Sequence, residues 1–216
     1  MSKAVRYIPA LSFDWLTPIY DPLLRRGMRE ESFKRELIRA ARICPRMRVL
    51  DLGCGTGTLT VMIKQTHPEA VVTGLDGDQK ILEIARKKAA KAGVEVTLDH
   101  GMAYQLPYPD DTFDRVLTSL VLHHLTRDDK QRAMGEIYRV LRPGGELHIV
   151  DFGKPRGVYG RLASQLIKRM EQAGDNINGF LPIMIRLAGY EQVKEPAFYS
   201  TIFGTLSRYR GRKPDR

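Results

Sequence analysis

The sequence predicts an α/β fold, a doubly wound and mostly parallel sheet with helices on both faces. Three observations carry that expectation. From residue 47 to residue 151, short apolar runs alternate with stretches of helical period. The runs, such as 71–75, are nearly continuous, as strands buried on both faces must be. Gly and Pro punctuate the joins, at Gly93 and at Pro143-Gly144-Gly145.

Each element follows from a local pattern. Residues 30–43 read as a helix: Phe33, Leu37 and Ala41 recur four apart, and Glu30/Lys34 and Glu31/Arg35 are i,i+4 opposite charges. After Pro45, residues 47–52 form a first strand that runs into glycines. A helix begins near Thr58, and a second strand at 70–75 ends at Asp76. Ile81, Ile84, Ala85, Lys88, Ala89 and Ala92 trace a helix stopped by Gly93. Residues 95–98 are a third strand, and the turn Pro109-Asp110-Asp111 announces a fourth at 113–120. Ala133, Ile137, Val140 and Leu141 mark a helix halted by Pro143, with a fifth strand at 146–150. Beyond it a helical segment is expected over 158–188, then strands near 190–196 and 198–206, set off by Gly189 and Pro196.

The 216 residues suit a single domain in three parts: an N-terminal helical cap (1–44), a ligand-binding core (45–151) and a C-terminal part (152–216). No run of about 18 apolar residues predicts a membrane span. The first residues lack a long apolar core, so no secretory signal is expected and a cytoplasmic location follows. Cys44 and Cys54 form no CxxC pair, which argues against a disulfide framework or a thiolate zinc site, and no metal is expected. The net charge of +10 is unevenly spread: +6 over residues 1–49, −3 over 50–151 and +7 over 152–216. Basic flanks of this kind attract phosphates, carboxylates, acidic lipid or nucleic acid, or merely keep the surface soluble.

The chemistry concentrates where the first strand meets Gly53-x-Gly55-x-Gly57. Glycines there allow a tight turn and a close backbone approach to a ligand at the next helix. A dinucleotide fingerprint would need glycine at 58, where this chain has Thr58. Asp51, two residues before the turn, would repel a diphosphate and attract an ammonium group, although it could instead cap the following helix. Asp76, ending the second strand, is placed to accept the hydroxyls of a ribose. A cationic, amine-bearing nucleoside without phosphate satisfies all three features, and S-adenosylmethionine is such a ligand.

The segment from Val49 to Gly57 (VLDLGCGTG) resembles motif I of class I S-adenosylmethionine-dependent methyltransferases. LPYPDDTFD ending at Asp114, VLHHL from Val121 and EIYRVLRPGG ending at Gly145 resemble that family's later motifs, in order. The nearest branch is the small-molecule group that includes the ubiquinone/menaquinone-biosynthesis C-methyltransferases. The resemblance covers about residues 13–203. It implies a Rossmann-like seven-stranded sheet with a C-terminal antiparallel hairpin and N-terminal helices. For the cofactor it implies a site from Asp51, Gly53, Cys54, Gly55 and Gly57 at the methionine end, and Asp76 and Gly77 at the ribose and adenine edge. Ser119 joins that set, and Tyr20, in a Phe13-Asp14…Tyr20-Asp21 segment, would help close over the ligand. Relatives carry Gly-Asp-Ala after the third strand, where this chain has Gly101-Met102-Ala103. Met102 and Ala103 would then hold adenine by apolar packing and backbone groups, with Asp99 as a possible substitute acceptor.

For the reaction, His123, His124 and Asp151 stand at the carboxyl ends of strands four and five, where one could act as a base or hold the pocket's shape. Cys54 has no partner base in the sequence and reads as a spacer. Val158, Leu162, Leu166, Ile167 and Met170 form an apolar stripe at helical spacing, read first as core packing. Its second reading is a substrate lid or a membrane-facing helix with Arg161, Lys168 and Arg169 near headgroups. The expected acceptor is a small molecule, anionic or lipid-like. A nucleic-acid acceptor is less favoured, since Ser119-Leu-Val-Leu122 stands where base-modifying relatives carry Asn/Asp-Pro-Pro-Tyr. A module that binds the cofactor without catalysis is the third reading, kept open by Met102.

Overall fold

The structure, a computed structural model, describes residues 30–170 and 173–215, with the backbone alone at 164–170. Helix α1 (Glu30–Ala41) leads into β1 (Arg48–Leu52), α2 (Thr58–Thr66), β2 (Val71–Asp76), α3 (Gln79–Lys91), β3 (Thr97–His100) and β4 (Phe113–Ser119). Helix α4 (Arg127–Val140) and β5 (Leu141–Phe152) complete the alternating part. Helices α5 (Gly157–Met170), α6 (Gly174–Ile177) and α7 (Leu181–Leu187) precede the hairpin β6 (Glu191–Thr201) and β7 (Gly204–Arg212). The strand order is β3-β2-β1-β4-β5-β7-β6, with β7 antiparallel to both of its neighbours, β5 and β6, and every other pairing parallel. The order reverses between β1 and β4, and the crevice at such a reversal is where sheets of this kind bind ligands.

Strand periodicity sends alternate residues to opposite faces. Leu50, Leu52, Val116, Leu147 and Ile149 join Met134, Ile137 and Val140 of α4 and Leu181 and Ile185 of α7 in one buried layer. Val49, Leu117 and Val150 join Phe33 and Leu37 of α1 and Leu59 and Ile63 of α2 in the other. Phe33 and Leu37 are essentially inaccessible, so truncating either to Ala would cost about 3–5 kcal/mol. Both predicted ion pairs form: Lys34 to Glu30 at 2.5 Å on a largely buried side of α1, and Arg35 to Glu31 at 2.6 Å on its exposed side.

Several boundaries differ from the expected ones. The third strand is Thr97–His100, two residues later than its apolar run. Pro143-Gly144-Gly145 does not separate α4 from β5: the helix ends at Val140 and the strand starts at Leu141. The register with β4 jumps from Phe113↔Leu141 to Arg115↔Glu146, so the Pro-Gly-Gly stretch is absorbed as a bulge. Gly144 supplies its left-handed residue, with φ of 74°. The helical stretch expected at 158–188 is three helices, and the last two strands lie further along. Pro196 sits inside β6, at a register shift between Lys194 and Ala197. An edge strand tolerates its missing N–H there.

The apolar stripe of α5 is also corrected. Val158 and Leu162 are 75% and 70% exposed, not core. Leu166, Ile167 and Met170, with Lys168 and Arg169, lie where side chains are outside the description. The segment holding Phe13, Asp14, Tyr20 and Asp21 lies outside the described residues. Among the described residues, no helix is long and apolar enough to cross a membrane.

Candidate cofactor and acceptor site

The glycine turn leaves β1 with Gly53, Gly55 and Gly57 all at positive φ (69°, 53° and 74°). Their roles differ. A Cβ on Gly53 would stand 2.3 Å from Val121 Cγ2, and one on Gly57 would stand 2.9 Å from the Cβ of Ala85, so both are glycine because neighbours press on them. Nothing lies within 4 Å of a Cβ on Gly55, which faces open space. The N–H groups of Gly53 and Cys54 donate to the Leu75 carbonyl, at 2.7 and 3.0 Å, and fasten the turn to the end of β2. There Asp76 accepts from the Gly55 N–H at 2.8 Å and the Asp78 N–H at 2.9 Å.

A cavity opens over this turn between the carboxyl ends of β1, β2 and β4. Its lining includes Gly53, Gly55, Asp76, Gly77, Met102, Ala103 and His124 from the expected set. It adds Ile81 on the first turn of α3, Tyr104, Leu120, Val121, Leu125, Thr126 and Asp129. Two carboxylates and one imidazole line it; among the described residues no Lys or Arg does, although Arg132 pairs with Asp129 at 2.5 Å and lies 5.0 Å from the Tyr104 ring centre behind the wall. Burial raises the Asp76 pKa, while hydrogen bonds from Asp78 and Gly55 hold the shift back. Such a cavity favours a cation and disfavours a diphosphate. Leu120 holds φ of 60°, a left-handed conformation that costs a branched side chain about 1–2 kcal/mol.

Four expected cofactor residues are set back from this cavity. Asp51 is 1% exposed and accepts from the Thr60 hydroxyl at 2.6 Å beneath the turn. It also accepts from the backbone N–H of Thr60 in the first turn of α2, as the capping alternative has it, and it is absent from the cavity wall. Burial pushes its pKa up to about 6, against the hydrogen bond from Thr60. Cys54 is buried, and a Cβ on Gly74 would meet its Sγ at 3.0 Å, so it packs inward against β2. Burial and the charges of Asp51 and Asp76 push that thiol well up, which suits a spacer and not a nucleophile. Gly57 packs on α3, and Ser119 is also absent from the wall. Asp99 accepts the Tyr108 hydroxyl at 2.9 Å and is absent from the cavity wall.

On the other wall, residues Leu122–His124 form a 3-10 turn after β4. Asp151, fully buried, holds that turn from below. It accepts from the backbone N–H of Leu122 at 2.8 Å and of Val121 at 3.2 Å. It also accepts from Phe152 N–H at 2.7 Å and Asn176 Nδ2 at 3.0 Å, and it lies 2.8 Å from His123 Nδ1. Burial opposes the Asp151 charge, but His123 and the Phe152 N–H outweigh it and hold the carboxyl below its ordinary range. His123 is 5% exposed, and its ring centre lies 4.0 Å from that of His124. Of the three expected catalytic residues, only His124 faces the cavity. Sequence reading missed Thr126 and Asp129, although Thr-x-x-Asp is an N-terminal capping signal. Thr126 accepts from the Asp129 N–H at 3.2 Å and starts α4 beside the cavity.

The open space at Gly55, the carboxylate of Asp76 and an apolar side of Met102, Ala103, Ile81 and Tyr104 fit S-adenosylmethionine. Residues 49–145 match the family described as "Methyltransferase domain". A demethylmenaquinone methyltransferase from Thermus thermophilus is 40% identical over 124 residues, 57% of this chain and 56% of that one. One from Listeria monocytogenes is 33% identical over 147 residues, 66% and 61% of the two chains. The chain thus spans less than two thirds of the length of these relatives. Among solved structures, the YcgJ protein from Bacillus subtilis superposes with a TM-score of 0.70 at 18% identity, covering 86% of this chain and all of that one. The S-adenosylmethionine-dependent methyltransferase SibL gives 0.67 at 24% identity, over 91% and 60% of the two chains. At those identities they speak for the fold, and the sequence match assigns residues 49–145 to the methyltransferase-domain family.

Proposed function

We propose that the chain transfers the methyl group of S-adenosylmethionine to a small, lipid-like acceptor of the quinol type. The observation that carries the reading is the cavity over the glycine turn, with the Asp76 carboxylate on its wall and, among the described residues, no Lys or Arg lining it. The names of the relatives, demethylmenaquinone methyltransferases, supply the acceptor class. When bound, the cofactor supplies an electrophilic methyl on a sulfonium centre. The backbone of Gly53 and Gly55 seats the ligand, and Asp76 accepts the ribose hydroxyls. Alignment and exclusion of water are then the protein's main contribution. His124 takes the proton that the acceptor loses, while His123 and Asp151 hold the 3-10 turn that presents it. Three-quarters of the wall is apolar or glycine, which suits a ring-bearing acceptor.

The test supplies methyl-labelled S-adenosylmethionine, the full chain, and either a demethylated naphthoquinol with an isoprenoid tail or bulk RNA. Label is expected in the quinol and not in the RNA. Tight cofactor binding with no transfer to the quinol would sink the acceptor class. Calorimetry on Asp51→Ala and Gly55→Val checks the seat, and affinity unchanged in both would refute it.

A further inference from the structure

We propose that the outer face of α5 and the β6–β7 turn form one docking surface for an anionic phospholipid bilayer. Val158, Tyr159 and Leu162 are 75%, 59% and 70% exposed, and Phe198 and Ile202 are 48% and 49% exposed. These five are one surface because the two elements are tied together. The Tyr159 hydroxyl donates to the Ile202 carbonyl at 2.5 Å, and the Arg156 N–H donates to Thr205 Oγ1 at 3.0 Å. The Arg156 guanidinium lies 4.5 Å from the Phe198 ring centre. Gly160 marks the inward side of the helix, since a Cβ there would stand 3.1 Å from Thr205 Oγ1. Val158 and Leu162 lie on the side away from it.

Charge selects the occupant. Residues 152–170 contain five Lys and Arg (Lys154, Arg156, Arg161, Lys168 and Arg169) and no Asp or Glu. Glu171 follows them, and Arg156 lies 3.7 Å from Glu195, so the cationic excess rests on the other four, while residues 196–206 contain no charged side chain. A protein partner of ordinary composition needs no such one-sided charge. A bilayer with acidic headgroups does: apolar side chains enter the acyl boundary while cations remain among the phosphates. The helix also leaves β5 at the carboxyl end of the parallel strands, the end that carries the glycine turn. Docking on this face therefore turns the cavity end of the sheet toward the lipid. The inference goes beyond methyl transfer, and its test uses neither cofactor nor acceptor, so the two readings fail separately.

The experiment is co-sedimentation of the full chain with phosphatidylcholine vesicles, with and without a third of phosphatidylglycerol, at low and high salt. Binding about tenfold tighter to the anionic vesicles, weakening as salt rises, is expected. The double variant Val158→Ser/Leu162→Ser should weaken binding about tenfold or more, and Arg161→Glu should flatten the salt dependence. Melting curves are expected to match wild type, because the substituted groups are exposed. If the double variant unfolds, Ile202→Ser makes the same test from the turn. Equal binding to both vesicle types, or full binding by the folded variants, would overturn the proposal. So would light scattering that shows a dimer dissociated by the same substitutions, since a second copy would then cover the face.

Discussion

The Asp51 carboxylate and the Thr60 hydroxyl lie 2.6 Å apart beneath the glycine turn, both out of reach of solvent. The pKa of that carboxyl, 3.8 when free, is raised by burial to about 6. A raised folded-state value means that the native protein holds the proton more tightly than the unfolded chain. The associated stability is full below about pH 4 and is lost as pH rises through 6. Asp51→Asn has no such loss and can keep one acceptor for Thr60. It should therefore be more stable than wild type at pH 7, by roughly 2–3 kcal/mol, and no more stable at pH 3.5. Denaturant melts at the two pH values check this.

The same carboxylate predicts a pH dependence of cofactor binding. A cationic ligand near the turn favours ionised Asp51, so below about pH 6 a proton must leave for it to bind. Affinity for S-adenosylmethionine should fall toward about tenfold per pH unit below that point. In Asp51→Asn the pH slope should disappear and affinity at pH 7 should drop. Calorimetric titration between pH 5 and 8 reads both effects.

Gly53 and Gly55 should separate folding from binding. Alanine at Gly53 meets Val121 at 2.3 Å as well as the positive φ, and should cost about 2–4 kcal/mol of stability. Alanine at Gly55 meets nothing within 4 Å, so its cost is the backbone strain alone, about 1 kcal/mol. Its methyl occupies the ligand's seat, and cofactor affinity should fall tenfold or more. Equal effects of the two variants on affinity per unit of stability would contradict the assignment of Gly55 to the ligand.

His124 and Asp151 divide along a similar line. His124→Ala should leave the melting temperature nearly unchanged and lower kcat by about 10²–10⁴-fold, as loss of a proton acceptor does. Asp151→Asn places an amide among backbone N–H donors from three residues and should cost about 3 kcal/mol or more. Its effect on activity should follow the loss of the 3-10 turn, with KM rising along with any fall in kcat. Steady-state kinetics beside thermal melts distinguish the two.

What was legible in the sequence was what period and punctuation encode. The run into Gly53-x-Gly55-x-Gly57 placed β1 and its turn to within a residue, because glycine has few other reasons to recur at that spacing. The sequence places Asp51 beside a cationic ligand or at a helix cap, and nothing in it announces that the side chain is buried. The parity of β1 explains why: Val49 and Asp51 share a face, and α2 with Thr60 covers that face. Ser119 shares the parity of Leu117, which packs in the layer beneath α1 and α2. Pro143-Gly144-Gly145 misled because a bulge and a helix stop use the same residues. The α5 stripe misled differently: helical period reveals that a face is apolar, and nothing in it says what covers that face.

Away from the ligand, Glu146 sets the acid limit of the fold. Its side chain lies 2.5 and 3.1 Å from two nitrogens of Arg210 and 2.9 Å from His148 Nε2, on a largely buried face of β5 and β7. Burial opposes its charge, but the bonds from His148 and Arg210 prevail and lower its pKa from 4.5 to about 2. A lowered value on a carboxyl contributes stability that is present above pH 4.5 and lost as pH falls toward 2. His148 adds to this in the same direction: burial lowers its pKa, so the unfolded chain takes up protons first as pH falls below 6.5. Glu146→Gln should therefore cost about 2–3 kcal/mol at pH 7, and its gap from wild type should close near pH 2. A gap that stays constant across that range would show that the Glu146 charge contributes nothing, and that the variant loses packing alone.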